Sequence, residues 1–316
     1  MLKLNNNNMR KKILSKLACP DCKSELKIEI SRQSKSRIIK GKLICKNCNN
    51  VFEIIEEIVC FRKITEKDRD ELVIKKTREL FLGQELKKEW FKYFSKPEFF
   101  AMKKEWAWML EELNIKKSKV HLDWATGTGR FLRNILEVTN VELVALDFGY
   151  DTCLGLKYFL KKIKKYSKTT IVCGDVKNMP FSDNSFDSDS SWHGMDEPNI
   201  NKAVDESKRV LKSGKTLAVS GIFFEKESKS LKLAKKFKIG FAKENEAKKF
   251  FEKSGFHNIK YKNFIKIKET SKENFLPKFG DYYTVYAISG KNKNKNNKKG
   301  QIDPFCFGFR DGKMGE

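Results

Sequence analysis

Apolar residues change their period several times along this chain, and each change marks an element. Leu26-Lys-Ile28-Glu-Ile30 and Lys42-Leu43-Ile44 alternate at period two, as strands with one buried face do. Ile58-Val-Cys60-Phe61 is a further short apolar strand, and Thr65 to Phe94 is charged and helix-like until Pro97 breaks it. Phe99, Met102, Trp106, Met109 and Leu113 then recur at spacings of three and four, the stripe of an amphipathic helix. That helix has two open roles: packing on a sheet, or covering a substrate with Trp106 or Trp108. Val120-His121-Leu122 and Val141 to Leu146 read as strands, with a helix from Phe131 to Val138 between them. Thr170 to Cys173 and Tyr282 to Ser289 add strands, and Glu244 to Ser254 adds a helix that turns at Gly255. Strands alternating with helices predict an α/β fold with a mostly parallel sheet.

Asp123-Trp-Ala-Thr-Gly127-Thr-Gly129-Arg130 stands between the first of these strands and its helix. A strand, a glycine turn and a helix N-terminus together bring bare backbone up to a ligand. The second strand ends in Asp147, where an acid can accept both hydroxyls of a ribose. A nucleoside-containing cofactor is therefore expected. A dinucleotide fingerprint would need a third glycine where Leu132 stands. A carboxylate such as Asp123 beside the turn suits an ammonium and would repel a pyrophosphate. Downstream come Gly174-Asp175, then Met179-Pro-Phe181-Ser-Asp183-Asn-Ser-Phe186-Asp187, then Asp205-Glu206 to Val219. Alone, Asp123 or Asp175 reads as a turn or helix cap; ordered together at strand ends, they read as cofactor contacts.

In these four motifs, from about Lys119 to Ser289, the chain resembles the class I S-adenosylmethionine (SAM) methyltransferases, most of all the branch of ubiquinone and menaquinone biosynthesis methyltransferases. The resemblance implies a Rossmann-like, seven-stranded, mostly parallel sheet with helices on both faces. It implies that Asp123 and Gly127 to Gly129 line the methionine end of SAM, and that Asp147 takes the ribose hydroxyls with Phe148 beside the adenine. Asp175 would accept from the adenine amino group while the backbone at Val176 holds a ring nitrogen; Ala125 and Trp192 complete the expected set. The chain also departs from the family. Ala125 stands where a glycine is frequent, Ser213-Gly214-Lys215 replaces a Pro-Gly-Gly turn, and the fourth strand is polar, Ser188-Asp-Ser-Ser191-Trp192-His193-Gly194. His193, just past that strand, is a weak candidate for a general base, needed only if the nucleophile must first lose a proton. The Asn-Pro-Pro-Tyr signature of amino-group methyltransferases is absent, and Glu197-Pro198-Asn199 does not replace it. Exocyclic-amine methylation is thereby disfavoured.

Cys19-Pro-Asp-Cys22 and Cys45-Lys-Asn-Cys48 are two C-x-x-C knuckles. Four thiolates on two tight turns close a tetrahedral zinc site with no position left for water. With the flanking apolar runs, residues 13–63 resemble the small zinc-ribbon activators of tRNA and protein methyltransferases. A ribbon before a methyltransferase domain also resembles ribosomal-RNA guanine methyltransferases, which place a histidine where this chain has Cys48. A segment so small folds on its metal.

The expected organisation is a β-rich zinc ribbon (13–63), a helical linker or lid (64–117), a methyltransferase domain (118–290) and a low-complexity basic tail (291–316). The longest apolar stretch, Leu217 to Phe224, is too short to cross a membrane, and no apolar leader follows the N-terminus, so a cytoplasmic protein is expected. Eight cysteines, four of them in knuckles, fit a reducing compartment; Cys60, Cys153 and Cys173 read as small core residues. The net charge of +25 invites a nucleic-acid reading. Yet only 10 of 66 basic residues are arginine, and scattered lysines make a solvated surface rather than a reading face. The methyl acceptor stays open between a small molecule and RNA docked on the basic ribbon. A non-catalytic SAM-binding scaffold that activates a protein partner is the remaining alternative.

Overall fold

The computed structural model describes residues 13–34, 37–83, 95–196, 201–239, 244–272 and 275–293. Residues 84–94, Glu197-Pro198-Asn199 and the tail from 294 onward, with Cys306, lie outside them.

The ribbon is a meander of β1 (Leu26–Ser34), β2 (Arg37–Cys45), β3 (Val51–Ile55) and β4 (Ile58–Cys60). Helices α1 (Glu71–Gly83) and α2 (Lys96–Glu112) follow. Then come β5 (Val120–Trp124), α3 (Arg130–Val138), β6 (Glu142–Asp147), α4 (Tyr150–Lys162), β7 (Thr169–Cys173) and β8 (Phe186–Ser191). The chain continues through α5 (Asn201–Val210), β9 (Leu211–Phe224), α6 (Lys229–Phe237), α7 (Glu244–Lys253), β10 (Phe256–Lys268) and β11 (Tyr282–Asn292). Strands β5 to β11 form the expected seven-stranded sheet, in the order β7-β6-β5-β8-β9-β11-β10. Its members from β7 to β9 run parallel, and β11 is antiparallel to both neighbours. The order reverses between β5 and β8, the place where open α/β sheets take their ligands.

Alternation along the strands divides the core. Leu143 and Ala145 of β6 face a cluster with Met109 of α2, Phe131 of α3 and Phe159 of α4. Val144 and Leu146 face the other layer, with Ala203 and Val204 of α5 and Phe251 of α7. Helix α2 begins where the sequence breaks. The Glu98 N–H donates to Ser95 Oγ and the Ser95 N–H donates to Glu98 Oε2 at 2.7 Å, a reciprocal cap with Pro97 in the first turn. Met102, Trp106, Met109 and Leu113 of the predicted stripe are buried.

The ribbon is continuous with the catalytic sheet. Strand β4 pairs in parallel with β7, Val59 opposite Val172 and Cys60 opposite Cys173, making one sheet of eleven strands. A second contact lies before the first knuckle: the Ala18 N–H donates to Pro180 O at 3.0 Å and the Ser182 N–H to Lys16 O at 2.8 Å. Ile13, Leu17, Leu43, Ile54, Val59 and Phe61 of the ribbon belong to the same apolar cluster as Val144, Leu146 and Val172. The ribbon therefore has no core of its own.

The last strand was expected to end at Ser289 and runs instead to Asn292. Asn292 is fully buried, its side-chain amide donating to Lys208 O and Leu211 O at 2.9 and 2.8 Å. The first residues assigned to the low-complexity segment thus close the sheet. No helix among the described residues is long and apolar enough to cross a membrane.

Because the ribbon shares its core with the catalytic domain, loss of the metal should be felt by both. Cys45→Ser is expected to abolish stoichiometric zinc by metal analysis and to lower the thermal midpoint of the whole chain in a single transition. A separate low-temperature ribbon transition, with the main one unmoved, would contradict the shared core.

Candidate functional site

Three alternate residues in the loop after β5 have left-handed backbone: Ala125 (φ 49°), Gly127 (φ 54°) and Gly129 (φ 71°). Such a turn directs successive N–H groups into one concavity. It explains the glycine frequent in the family at the position of Ala125, since a side chain there bears the strain of the left-handed region. Gly129 then caps α3.

The loops at the carboxyl ends of β5, β6, β7 and β8 enclose a cavity of about 520 Å³. Ala125, Gly127, Asp147, Phe148, Asp175, Val176 and Trp192 line it, seven of the nine residues expected to hold the cofactor, together with Lys177, His193 and Gly194. Asp147 accepts from the Gly127 N–H at 2.7 Å through one carboxylate oxygen and from the Gly149 N–H at 3.0 Å through the other. Burial raises its pKa, and the two N–H donors oppose the rise. A ribose offering hydroxyls would meet an acceptor already fixed in place. Asp175 caps the turn that follows it, accepting from the Lys177 N–H at 2.8 Å, and also faces the cavity. For this residue the capping and binding readings coexist. Phe148 is exposed, its ring open at the rim.

Asp123 and Gly129 are not part of the lining. The Asp123 carboxylate is 2% exposed and turned toward β8, where it accepts from Ser190 Oγ at 2.7 Å. In this structure the carboxylate lies beneath the turn and supports it from there. Behind Asp123 runs a buried chain of hydrogen bonds. His121 Nε2 lies 2.9 Å from Ser190 Oγ, and His121 Nδ1 lies 2.8 Å from Ser188 Oγ. Since Ser190 donates to Asp123, its oxygen accepts from Nε2–H, which leaves Nδ1 to accept from Ser188. Burial holds His121 down to about 3, consistent with this neutral imidazole. Burial pushes Asp123 up to about 7, against the pull of Ser190 and Thr126.

His193, the weak candidate base, sits between two acids. Its Nδ1 is 3.0 Å from Asp196 Oδ2 and its Nε2 is 3.9 Å from Glu105 Oε1. Burial lowers its pKa, but the Asp196 bond and the Glu105 charge outweigh that and leave it raised. Glu105, on α2, escaped the sequence reading. Its signal was there: it lies three residues after Met102, an acid inside an apolar stripe. Arg62 escaped too. At the end of the ribbon, its Nε donates to Phe148 O at 2.8 Å and its guanidinium covers the Phe148 ring at 4.8 Å.

The four knuckle sulfurs, of Cys19, Cys22, Cys45 and Cys48, lie within 4.8 Å of one another. The measured separations are 3.4 Å for Cys22–Cys45, 3.6 Å for Cys19–Cys48 and 3.7 Å for Cys22–Cys48. Zn–S bonds of about 2.3 Å in a tetrahedron put sulfurs about 3.8 Å apart, so the cluster has the dimensions of a closed zinc site.

Comparison with known proteins agrees with both halves. A family model described as a methyltransferase domain matches residues 122–214, and one described as Trm112p-like protein matches residues 10–57. The demethylmenaquinone methyltransferase of Staphylococcus haemolyticus is 25% identical over 184 residues, covering 49% of this chain and 76% of that protein. That of Staphylococcus aureus strain Newman is 23% identical over the same length, covering 49% and 75%. Among solved structures, phosphoethanolamine N-methyltransferase 2 of Haemonchus contortus is similar over 60% of this chain and 56% of that one, with 17% identity and a TM-score of 0.46. The chain carries a class I SAM-dependent methyltransferase domain related to the menaquinone methyltransferases, preceded by a Trm112-like zinc-binding module with a four-cysteine cluster. It is a SAM-dependent methyltransferase.

Two measurements probe the site. Asp147→Ala should weaken SAM binding at least about tenfold by calorimetry, since a charged acceptor for hydroxyls is worth about 1.5–3 kcal/mol. Unchanged affinity would remove Asp147 from the site. The second uses pH. Folded Asp123 keeps its proton up to about 7, whereas the unfolded chain releases it near 3.9. The folded state thus binds the extra proton between these values, and stability from this group falls as pH rises. The stability of wild type relative to Asp123→Asn should drop by about 2–3 kcal/mol between pH 5 and pH 8 in urea titrations. A constant difference would contradict the raised carboxyl.

Proposed function

We propose that this methyltransferase acts on a small-molecule acceptor seated in a second pocket, across Trp192 and His193 from the SAM cavity. One observation carries the proposal: the two cavities share those two side chains as a common wall. The second pocket, of about 100 Å³, lies between α2 and the sheet strands β10 and β11. Met102, Ile265, Ile267 and Val285 give it an apolar body, while Glu98, Glu105 and Tyr283 bring polar groups to it. Helix α2 therefore serves both readings of its stripe: it packs on the sheet and closes the pocket.

Asp147, Phe148, Asp175 and Val176 would hold the nucleoside of SAM, with Ala125 and Gly127 near its amino-acid end. SAM supplies a methyl group already activated on a sulfonium, which transfers in line to a nucleophile as the carbon–sulfur bond breaks. The protein's part is alignment and exclusion of water. Trp192 stands edge-on to Trp106 of α2, with ring centroids 5.5 Å apart, which fixes the shared wall.

Four of the ribbon's basic residues are taken up by the catalytic domain, which favours a structural role for them over RNA docking. Lys16 donates to Ser185 O, Lys23 pairs with Glu206, Arg37 stacks on Tyr166 and Arg62 holds Phe148. All four reach into the catalytic domain.

Methyl-labelled SAM supplied to a fractionated host extract tests the proposal, with Asp147→Ala as control. Label is expected in a small extractable molecule and insensitive to RNase. Label confined to an RNase-sensitive or protein fraction would overturn the small-molecule acceptor.

A further inference from the structure

Glu105 is 1% exposed, yet its Oε1 has no hydrogen-bond partner among the described residues, and it lines the pocket behind Trp192. The Trp192 indole N–H and the Ser220 hydroxyl stand close by and favour its charged form. A buried carboxylate left in this state is costly unless something supplies a donor or a positive charge. Burial pushes the Glu105 carboxyl up, and the nearby His193 charge, with Ser220 and Trp192, offsets only part of the rise. His193 is arranged to take a proton. With its Nδ1–H donating to Asp196, its Nε2 lone pair is left toward Glu105, 3.9 Å away and beyond hydrogen-bond reach. Glu98 adds a second carboxylate to the same pocket, and Asp196 a third just behind the imidazole. The carboxyl groups of Glu105, Glu98 and Asp196 outnumber the cationic groups here, His193 and the Arg130 whose charge reaches it, and so disfavour an anionic nucleophile such as a phenolate and favour a cation.

We propose that the acceptor is a basic amine on a small apolar body, its nitrogen held by Glu105 and its proton taken by His193. This rests on the reading of the pocket as the acceptor site. The amine enters as an ammonium and gives one proton to His193 Nε2. The freed nitrogen lone pair forms the new bond to the methyl carbon, while the electrons of the breaking carbon–sulfur bond stay on sulfur. The product leaves as an alkylammonium, and the imidazolium, stabilised by Asp196 and Glu105, releases its proton to solvent. The missing Asn-Pro-Pro-Tyr signature is consistent with such an acceptor. A planar exocyclic amine has its lone pair delocalised into a ring, whereas a basic amine needs only deprotonation.

Tryptophan fluorescence reads the pocket directly, since Trp192 forms part of its wall. The probes are benzylamine and its near-isostere benzyl alcohol, titrated at pH 7 into the full chain saturated with S-adenosylhomocysteine. Wild type should bind the amine at least about tenfold more tightly than the alcohol. In Glu105→Gln the preference should collapse to within about twofold while S-adenosylhomocysteine affinity is unchanged, which also reports folding. Ile265→Phe, which fills the pocket, should weaken both probes. If the probes bind equally but Ile265→Phe still excludes them, the pocket stands and the amine assignment falls. If binding ignores Ile265→Phe, or neither probe binds wild type, the pocket assignment falls with it.

Discussion

Two main-chain pairings, Val59 with Val172 and Cys60 with Cys173, hold the molecule's two parts in one sheet. Without them β7 would be the exposed edge of a parallel sheet, a row of unpaired N–H and C=O groups. Strand β4 covers that edge, and the Phe61 N–H extends the pairing to Cys173 O at 2.8 Å. The next residue, Arg62, is thereby delivered to Phe148 at the rim of the cofactor cavity. Asp68 grips the same guanidinium, which holds its carboxyl well below the usual range. The ribbon, a meander tied at its four-cysteine cluster, thus ends by holding Phe148, a residue that lines the cavity. The zinc, the edge pairing and Arg62 form one mechanical series.

The polar fourth strand has a physical account of a different kind. Central strands of parallel sheets are usually apolar because both faces are covered. Every residue of β8 is buried, yet it reads Phe-Asp-Ser-Asp-Ser-Ser. The cost is offset by pairing across the sheet: Ser188 and Ser190 bracket His121, Ser190 continues to Asp123, and Ser191 Oγ donates to Trp124 O at 2.7 Å. Asp187 accepts from the Lys119 and Val120 N–H groups and pairs with Lys212. The strand is polar because it is keyed residue by residue to β5, and Ser190, beneath the glycine turn, orients Asp123. Asp189 is the exception: it is fully buried, and burial raises its pKa well above the usual carboxylate range, against the pull of Ser207.

Much of this was legible in the sequence, and the boundary of legibility has a pattern. The knuckle spacing announced the metal cluster because two tight turns can do little else with four thiols. The glycine turn, Asp147 and Asp175 announced the cavity because each occupies the end of a strand whose position is dictated by period. Asp123 shared that position but not its direction; only the rotamer that reaches Ser190 shows which way it faces. Glu105 and Arg62 were illegible for another reason. Their partners, His193 and Phe148, are 88 and 86 residues away, and no local pattern encodes such a meeting. Asn292 was misjudged because its neighbours are lysines and asparagines, a composition that hides one buried amide bonded to two carbonyls.

The charge of the chain looks different once the seam is taken into account. Lys157 of α4 is 5% exposed, which a lysine tolerates only when paired. Its Nζ donates to Glu56 O at 3.0 Å and to Glu56 Oε2 at 2.8 Å, while Lys161 one turn on reaches Glu57 at 2.7 Å. On the other side the polarity is reversed, with ribbon Lys23 held by catalytic-domain Glu206 at 3.0 Å. Each pair gains little against the desolvation it costs. Their alternating sign nevertheless penalises any slipped register, because a shift would set lysine against lysine and acid against acid. Apolar burial supplies the attraction between ribbon and sheet, and these charges select one alignment, the alignment that places Arg62 on Phe148.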